Sequence, residues 1–324
     1  MAGSKRLVAL GAAGVLAFAG CGVDQSPSAQ DAGADYPARP VTITVPFSAG
    51  GPTDTTARAM AECLDDEMGQ SFVVENRPGA AGTIGTAELS RAEPDGQTLG
   101  MVSTATAVAG PALQDDVTYS VDEFQLLALL AEFPSVIAVH PGSKYQGIED
   151  LLRAAKVKPK SVTVAVPGTT TLYGIEVDRL ATEYGIELET VPFEGGSQAR
   201  AAVLGKNVDA VWDAASQDLV DAIDQGQFRA LATGGAEQVD FIDAPTLAEA
   251  GYPKIVHSST LFALAAPAGV PDGVVSALET SIKTCEQAKS YVKVVGEEYV
   301  PDTFVGAKRL SERFHDLADL YGSF

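Results

Sequence analysis

Along the chain, short runs of apolar and β-branched residues alternate with longer stretches whose apolar positions recur at helical spacing. From residue 41 the order is VTITVPF (41–47), TDTTARAMAECLDDEM (53–68), SFVVEN (71–76), TIGTAELSRA (83–92) and TLGMVST (98–104). Strand followed by helix, repeated, predicts an α/β unit with a largely parallel sheet. The rhythm returns with SVTVAV (161–166), a helical stretch over 169–185, ELETVPF (187–193), GSQARAAVLGK (196–206), VDAVWD (208–213) and FRALATG (228–234). This predicts a second unit. Between the two lies FQLLALLAEFPSVIAVHP (124–141), nearly all apolar and broken by Glu132 and Pro134, which reads as two buried strands carrying the chain across. A strand over 258–266 and helices near 272–289 and 303–321 have no sheet of their own and are expected to return to the first unit. Residues 36–138 plus 257–324 then form lobe 1 and residues 139–256 form lobe 2. Two α/β lobes joined by two crossings leave a cleft between strand ends, where open sheets usually take ligands.

The first segment belongs to neither lobe. Residues 1–20 combine Lys5 and Arg6 with an apolar run too short to span a bilayer, which is the form of a secretory signal. Phe18-Ala19-Gly20-Cys21 resembles a bacterial lipobox, with Phe18 in place of the usual aliphatic residue, so Cys21 is the expected lipidation site. Residues 21–35 are small and polar and read as a flexible tether, with a reach on the order of 20 Å. The rest is expected on the outer face of the cell membrane, periplasmic if the host has an outer membrane.

Composition narrows the partners. Of 324 residues, 22 are Lys or Arg and 43 Asp or Glu, a net charge of −21, and losing Lys5 and Arg6 makes the exported part more acidic still. Phosphate neutralisation needs clustered cations, so nucleic acid is excluded as a partner. A hydrophobic content of 46% excludes disorder as the main state. Cys21, Cys63, Cys285, His140, His257 and His315 show no CxxC, HExxH or HxH spacing, and neither a metal nor another cofactor is expected. Cys63 and Cys285 fall on helices assigned to one lobe of an exported protein. A disulfide is expected, the alternative being two buried thiols.

The chemistry sits in the loops. Val45-Pro46-Phe47-Ser48-Ala49-Gly50-Gly51-Pro52-Thr53-Asp54 ends a strand and opens a helix with proline at its first position. Such a helix end offers free amides and a partial positive charge, so it can hold a carboxylate without lysine or arginine. Alternatively, it is a tight turn with Asp54 complementing the dipole. Val191-Pro192-Phe193-Glu194-Gly195-Gly196 echoes it in the second unit, and Pro167-Gly168-Thr169-Thr170-Thr171 adds a hydroxyl-rich turn. Asn76–Gly82 matches no nucleotide-loop pattern, and no GxSxG elbow occurs. Trp212 and Asp213 end a strand, either as an aromatic wall and a carboxylate meeting the cleft or as a half-buried aromatic and a helix cap.

These motifs, in their order, resemble the solute-binding proteins of tripartite tricarboxylate transporters, the Bug family. Tyr36-Pro37 with Pro40, VPFSAGGPTD, VVENRPGAAGTIG (73–85), EPDGQTL (93–99), VPFEGG, VDAVWD, APTLAEAGYP (244–253) and APAGVP (266–271) carry the resemblance over nearly the whole exported chain. It implies a two-lobed periplasmic-binding-protein-like fold closing on a small organic carboxylate, with no catalysis, no cofactor and delivery to membrane permease subunits. The implied ligand residues are Phe47, Ser48, Ala49, Gly50 and Asp54 with Ser103 and Thr104 in lobe 1, and Gly168, Thr169, Thr170, Thr171, Phe193 and Asp213 in lobe 2. Thr170 stands where the family often has glycine. Without a cleft lysine or arginine, a mono- or dicarboxylate or aromatic acid is expected over a tricarboxylate, while Asp54 or Asp213 admits an amine. A monomer is expected. The alternatives are a receptor read by a signalling partner and a secreted hydrolase using a cleft serine or threonine.

Overall fold

The computed structural model describes residues 36–235, 238–255 and 259–321. The expected signal, Cys21 and the tether lie outside these, as does His257. The first part of the chain builds β1 (Val41–Val45), α1 (Pro52–Met68), β2 (Phe72–Asn76), α2 (Thr83–Ser90), β3 (Thr98–Ser103), α3 (Gly110–Leu113) and β4 (Phe124–Phe133). The middle builds β5 (Ser135–Val139), α4 (Ile148–Val157), β6 (Thr163–Val166), α5 (Leu172–Tyr184), β7 (Glu189–Pro192), α6 (Gly196–Leu204), β8 (Ala210–Ala214), α7 (Gln217–Asp224) and β9 (Arg229–Thr233). The last part adds β10 (Thr260–Pro267), α8 (Asp272–Glu286), α9 (Lys289–Val295) and α10 (Ala307–Tyr321).

Two five-stranded sheets result, ordered β2-β1-β3-β10-β4 and β7-β6-β8-β5-β9. The C-terminal part returns to the first sheet as expected: β10 pairs between β3 and β4, α8 and α9 pack on α1, and α10 packs on β4. Each sheet is largely parallel, as expected, with four of its five strands running one way and one reversed. β10 runs antiparallel to both its neighbours and so does β5, while β1, β2 and β3, and separately β6, β7 and β8, are parallel. The cause is topological: β5 and β10 are the first strands after each crossing, so they enter from the opposite lobe and run against the strands they join. The change of sheet falls at Pro134, a few residues before the expected boundary at 138/139, because all of β5 pairs with β8 and β9.

Amphipathic helices close each layer. In α1, Ala57, Met60, Ala61 and Leu64 fall at helical spacing and are buried, and Gly69 ends the helix in the left-handed conformation that glycine adopts without strain. The crossings are pinned by Ala215 N–H donating to Pro134 O (2.8 Å) and Gly234 N–H to Ser135 O (2.9 Å). Beneath them Phe262, Phe133, Tyr299 and Phe241 stack in sequence, with ring centroids 5.2, 4.6 and 5.2 Å apart, so one apolar core continues through the hinge. A disulfide joins Cys63 of α1 to Cys285 of α8.

Candidate functional site

The loop from Phe47 to Gly51 is shaped by a buried carboxylate. Asp54 is 2% exposed; its Oδ2 accepts from Gly50 N–H and Arg58 Nε, each at 2.9 Å, and its Oδ1 from Asn76 Nδ2 at 2.8 Å. Asn76 also donates to Phe47 O (3.0 Å), so both ends of the loop hang on one network. Burial alone would raise the pKa of Asp54, but hydrogen bonds from Arg58, Gly50 and Asn76 outweigh it and hold the carboxyl below its ordinary value. With both oxygens engaged, Asp54 builds the loop and is not among the residues lining the adjoining cavity. Gly51 then caps α1 with no side-chain hydrogen bond, leaving the first-turn amides uncapped.

The second lobe repeats the arrangement. Gly195 caps α6 without a side-chain bond, and Thr171 caps α5, its Oγ1 accepting from Gly174 N–H and donating to Gly168 O (2.8 Å). The helix ends of α1 and α6 meet across the cleft: a Cβ placed on Gly51 would stand 3.7 Å from the Gly196 amide nitrogen. Beside this contact lies a small cavity of about 30 Å³. Phe47, Gly51, Pro52, Thr53, Ser103, Ala105, Thr260 and Phe262 line it from lobe 1, and Pro167, Thr171, Tyr173, Gly196 and Asp213 from lobe 2.

The lobes touch around this cavity. Ser48 N–H donates to Glu194 O (3.2 Å), Ser197 Oγ to Ala49 O (3.0 Å) and Gln114 Nε2 to Thr170 Oγ1 (2.8 Å), while the hydroxyls of Tyr173 and Thr260 are hydrogen-bonded to each other at 2.8 Å. Of the expected residues, Phe47, Ser103, Thr171 and Asp213 come together on the cavity wall. Ser48, Ala49 and Gly50 form the tip that meets lobe 2. Gly168, Thr169, Thr170 and Phe193 line a wider groove outside the cavity, facing Gly79 to Gly82 and Gln114. Thr104 does not line the cavity; its Oγ1 accepts from Leu261 N–H (3.1 Å) and fixes the start of β10. Trp212 does not wall the cleft either. Strand side chains alternate, so with Asp213 on the cavity Trp212 turns into the core, its Nε1 donating to Ser135 Oγ (2.9 Å).

Thr53, Tyr173, Thr260, Phe262 and Arg200 were not among the expected residues. Tyr173 had a readable signal, since it lies two residues past the capping threonine in the same first turn as the loop. Arg200 lies beside the cavity without lining it: it is 7% exposed, with Nη2 2.8 Å from Asp218 Oδ2 and Nη1 3.3 Å from Ser216 Oγ, and it reaches Gly50 O in lobe 1 at 3.5 Å. Asp213 is 1% exposed; Oδ1 accepts from Ala214 N–H (2.8 Å), whereas Oδ2 has no hydrogen-bond partner among the described residues and stands 3.8 Å from Arg200 Nε. Desolvation pushes its pKa up to about 6 against the opposing pull of Arg200.

This geometry, two α/β lobes meeting over a small enclosed cavity rimmed by helix N-termini, is that of an extracytoplasmic solute-binding protein. The chain belongs to the tripartite tricarboxylate transporter family of receptors, whose family model matches residues 56–314. It is 32% identical over 262 residues to protein BugT of Bordetella pertussis, covering 80% of this chain and 79% of that protein. Among solved structures, the periplasmic binding protein BugD is similar with a TM-score of 0.80 and 27% identity, over 89% of this chain and 97% of the other. MatC from Rhodopseudomonas palustris with bound malate is similar with a TM-score of 0.81 and 26% identity, over 89% of this chain and 99% of that one.

Proposed function

We propose that the protein captures a small organic carboxylate outside the cell membrane and delivers it to the permease subunits of a tripartite transporter, acting as a monomer held to the membrane by a lipid on Cys21. One observation carries the reading: the uncapped N-termini of α1 and α6, one from each lobe, face each other across the cavity. Each carries about half a positive charge and several free amides, so an anion between them is bound by both lobes and draws them together. That coupling of binding to closure is what a delivery receptor requires, because only the loaded form presents both lobes in fixed relation to a partner. The malate seen in the related MatC is consistent with a dicarboxylate-sized ligand here. Residues 36–324 divide accordingly into a first lobe that includes the C-terminal helices and a second lobe between the crossings.

The test is a thermal-shift panel of mono-, di- and tricarboxylates, aromatic acids and amino acids against purified protein. A ligand present at 100 times its dissociation constant adds about 2.7 kcal/mol, a readily visible shift. A hit is expected among the small acids, and a panel with none overturns the reading. The anchor is tested separately by mass spectrometry of membrane-extracted protein, where Cys21→Ser should abolish the lipid adduct.

A further inference from the structure

Asp213 is the one cavity carboxylate whose geometry asks for something from the ligand. Its Oδ1 is held by the backbone, but Oδ2 is buried, faces the cavity and receives no hydrogen bond from any described group. Arg200 does not supply the missing donor, because its guanidinium is turned to Asp218 and Ser216 and stays 3.8 Å from Oδ2. A buried carboxylate oxygen with a nearby charge but no hydrogen bond costs free energy that a donor from the ligand recovers.

The position of Oδ2 sets where that donor must be. A Cβ built on Gly196 would fall 2.2 Å from it, so the carboxylate oxygen lies directly against the first residue of α6, the same helix end that offers amides to the ligand's own carboxylate. A bound acid therefore brings its carboxylate group close to that of Asp213. Two like charges at that separation repel in a buried site unless a donor sits between them. Resting on the receptor reading above, we infer that the ligand is an organic acid with an O–H or N–H donor on the carbon next to its carboxylate, a 2-hydroxy or 2-amino acid, and that Asp213 selects it over the unsubstituted acid. The donor bonds to Oδ2 while the carboxylate takes the amides of α6 and α1. Gly196 is required because a Cβ there would collide with the Asp213 carboxylate itself and displace Oδ2 from this position.

Calorimetric titration with matched triplets tests this: succinate, malate and aspartate; propionate, lactate and alanine; 3-phenylpropionate, 3-phenyllactate and phenylalanine. Within a triplet only the substituent at carbon 2 changes. In the triplet that binds, a substituted member is expected to bind about 10- to 100-fold more tightly than the unsubstituted one, the worth of one hydrogen bond to a charged group. Comparing the hydroxy with the amino member names the donor. Asp213→Ala should reduce the preference to less than about threefold. Equal affinity for the unsubstituted member in the wild-type protein overturns the inference and leaves the receptor reading standing, and this comparison needs no variant to fold. Binding of no acid in any triplet or in the wider panel overturns the receptor reading itself.

Discussion

Asp54 and Asp213 are both buried carboxylates within the cleft loops, and the number of donors around each sends them in opposite directions. Asp54 receives bonds on both oxygens and its pKa is lowered, whereas Asp213 has one backbone donor and is pushed up to about 6. For Asp213 the folded value lies above the ordinary 3.8, so between these the folded state binds more protons and stability falls as pH rises. Above about 6 the full cost of the buried charge is present. The groups facing it are Arg200 from α6, Asp218 in α7's first turn and the Tyr173 phenol, which burial keeps neutral. Asp213→Asn is therefore expected to stabilise the ligand-free protein by roughly 2 kcal/mol at pH 8 and by almost nothing near pH 4, read from urea unfolding at the two pH values. A gain of equal size at both would show that packing, not charge, is responsible. Asp54 behaves oppositely: its contribution is present above the ordinary 3.8 and is lost as pH falls through the lower folded value. Asp54→Ala leaves Gly50 N–H and Asn76 without their acceptor and should cost roughly 2 to 4 kcal/mol at pH 7, together with ligand affinity. Spacing alone could place these two aspartates near the loops. It could not say which way either faced, because that depends on Arg58, Asn76 and Ala214 arriving from elsewhere in the chain or from the local backbone.

At the scale of elements, the alternation of β-branched runs with helical spacing was enough to locate β1 to β4 and the units around β6 to β8, since each periodicity is a local property. The directions of β5 and β10 were not legible. Both depend on which end of a sheet the chain reaches after crossing, which is a property of the whole path. The turn at Gly168 shows a similar limit. Its sequence, between β6 and α5, announces a donor-rich loop, but only the assembled lobes reveal that it sits against the first lobe, where an added Cβ would be 2.5 Å from Ala81 Cβ. Gly168 also has φ +104°, in the region that disfavours side chains. Gly168→Ala is thus expected to keep each lobe folded while preventing their close approach. Small-angle scattering with a saturating acid should show the wild-type protein contracting and the variant remaining at its ligand-free radius of gyration. Equal contraction in both would mean that this contact does not limit closure.

For the whole molecule, two long-range features bind sequence ends and surroundings to the cleft. The Cys63–Cys285 disulfide spans 222 residues and ties α1, whose N-terminus faces the cavity, to the C-terminal helices after the chain has been through lobe 2 and back. Closing so long a loop restricts the unfolded chain strongly, and Cys63→Ala with Cys285→Ala should cost roughly 3 to 5 kcal/mol in denaturant unfolding. The other feature is charge. The cavity attracts a carboxylate through helix ends at short range, yet the chain as a whole carries −21, so an approaching anion first meets a repulsive field. Salt shortens the reach of that field from about 30 Å at 0.01 M to about 8 Å at 0.15 M, while the buried helix ends are screened far less. Association of a dianion such as malate should therefore accelerate modestly as ionic strength rises across this range, with dissociation nearly unchanged. A zwitterionic amino acid has no net charge for the field to act on, and its association rate should stay nearly flat. Stopped-flow measurement of both at the two salt concentrations decides the matter: slower or unaltered capture of the dianion at high salt would mean that local positive potential at the cleft mouth, not the acidic envelope, governs the approach.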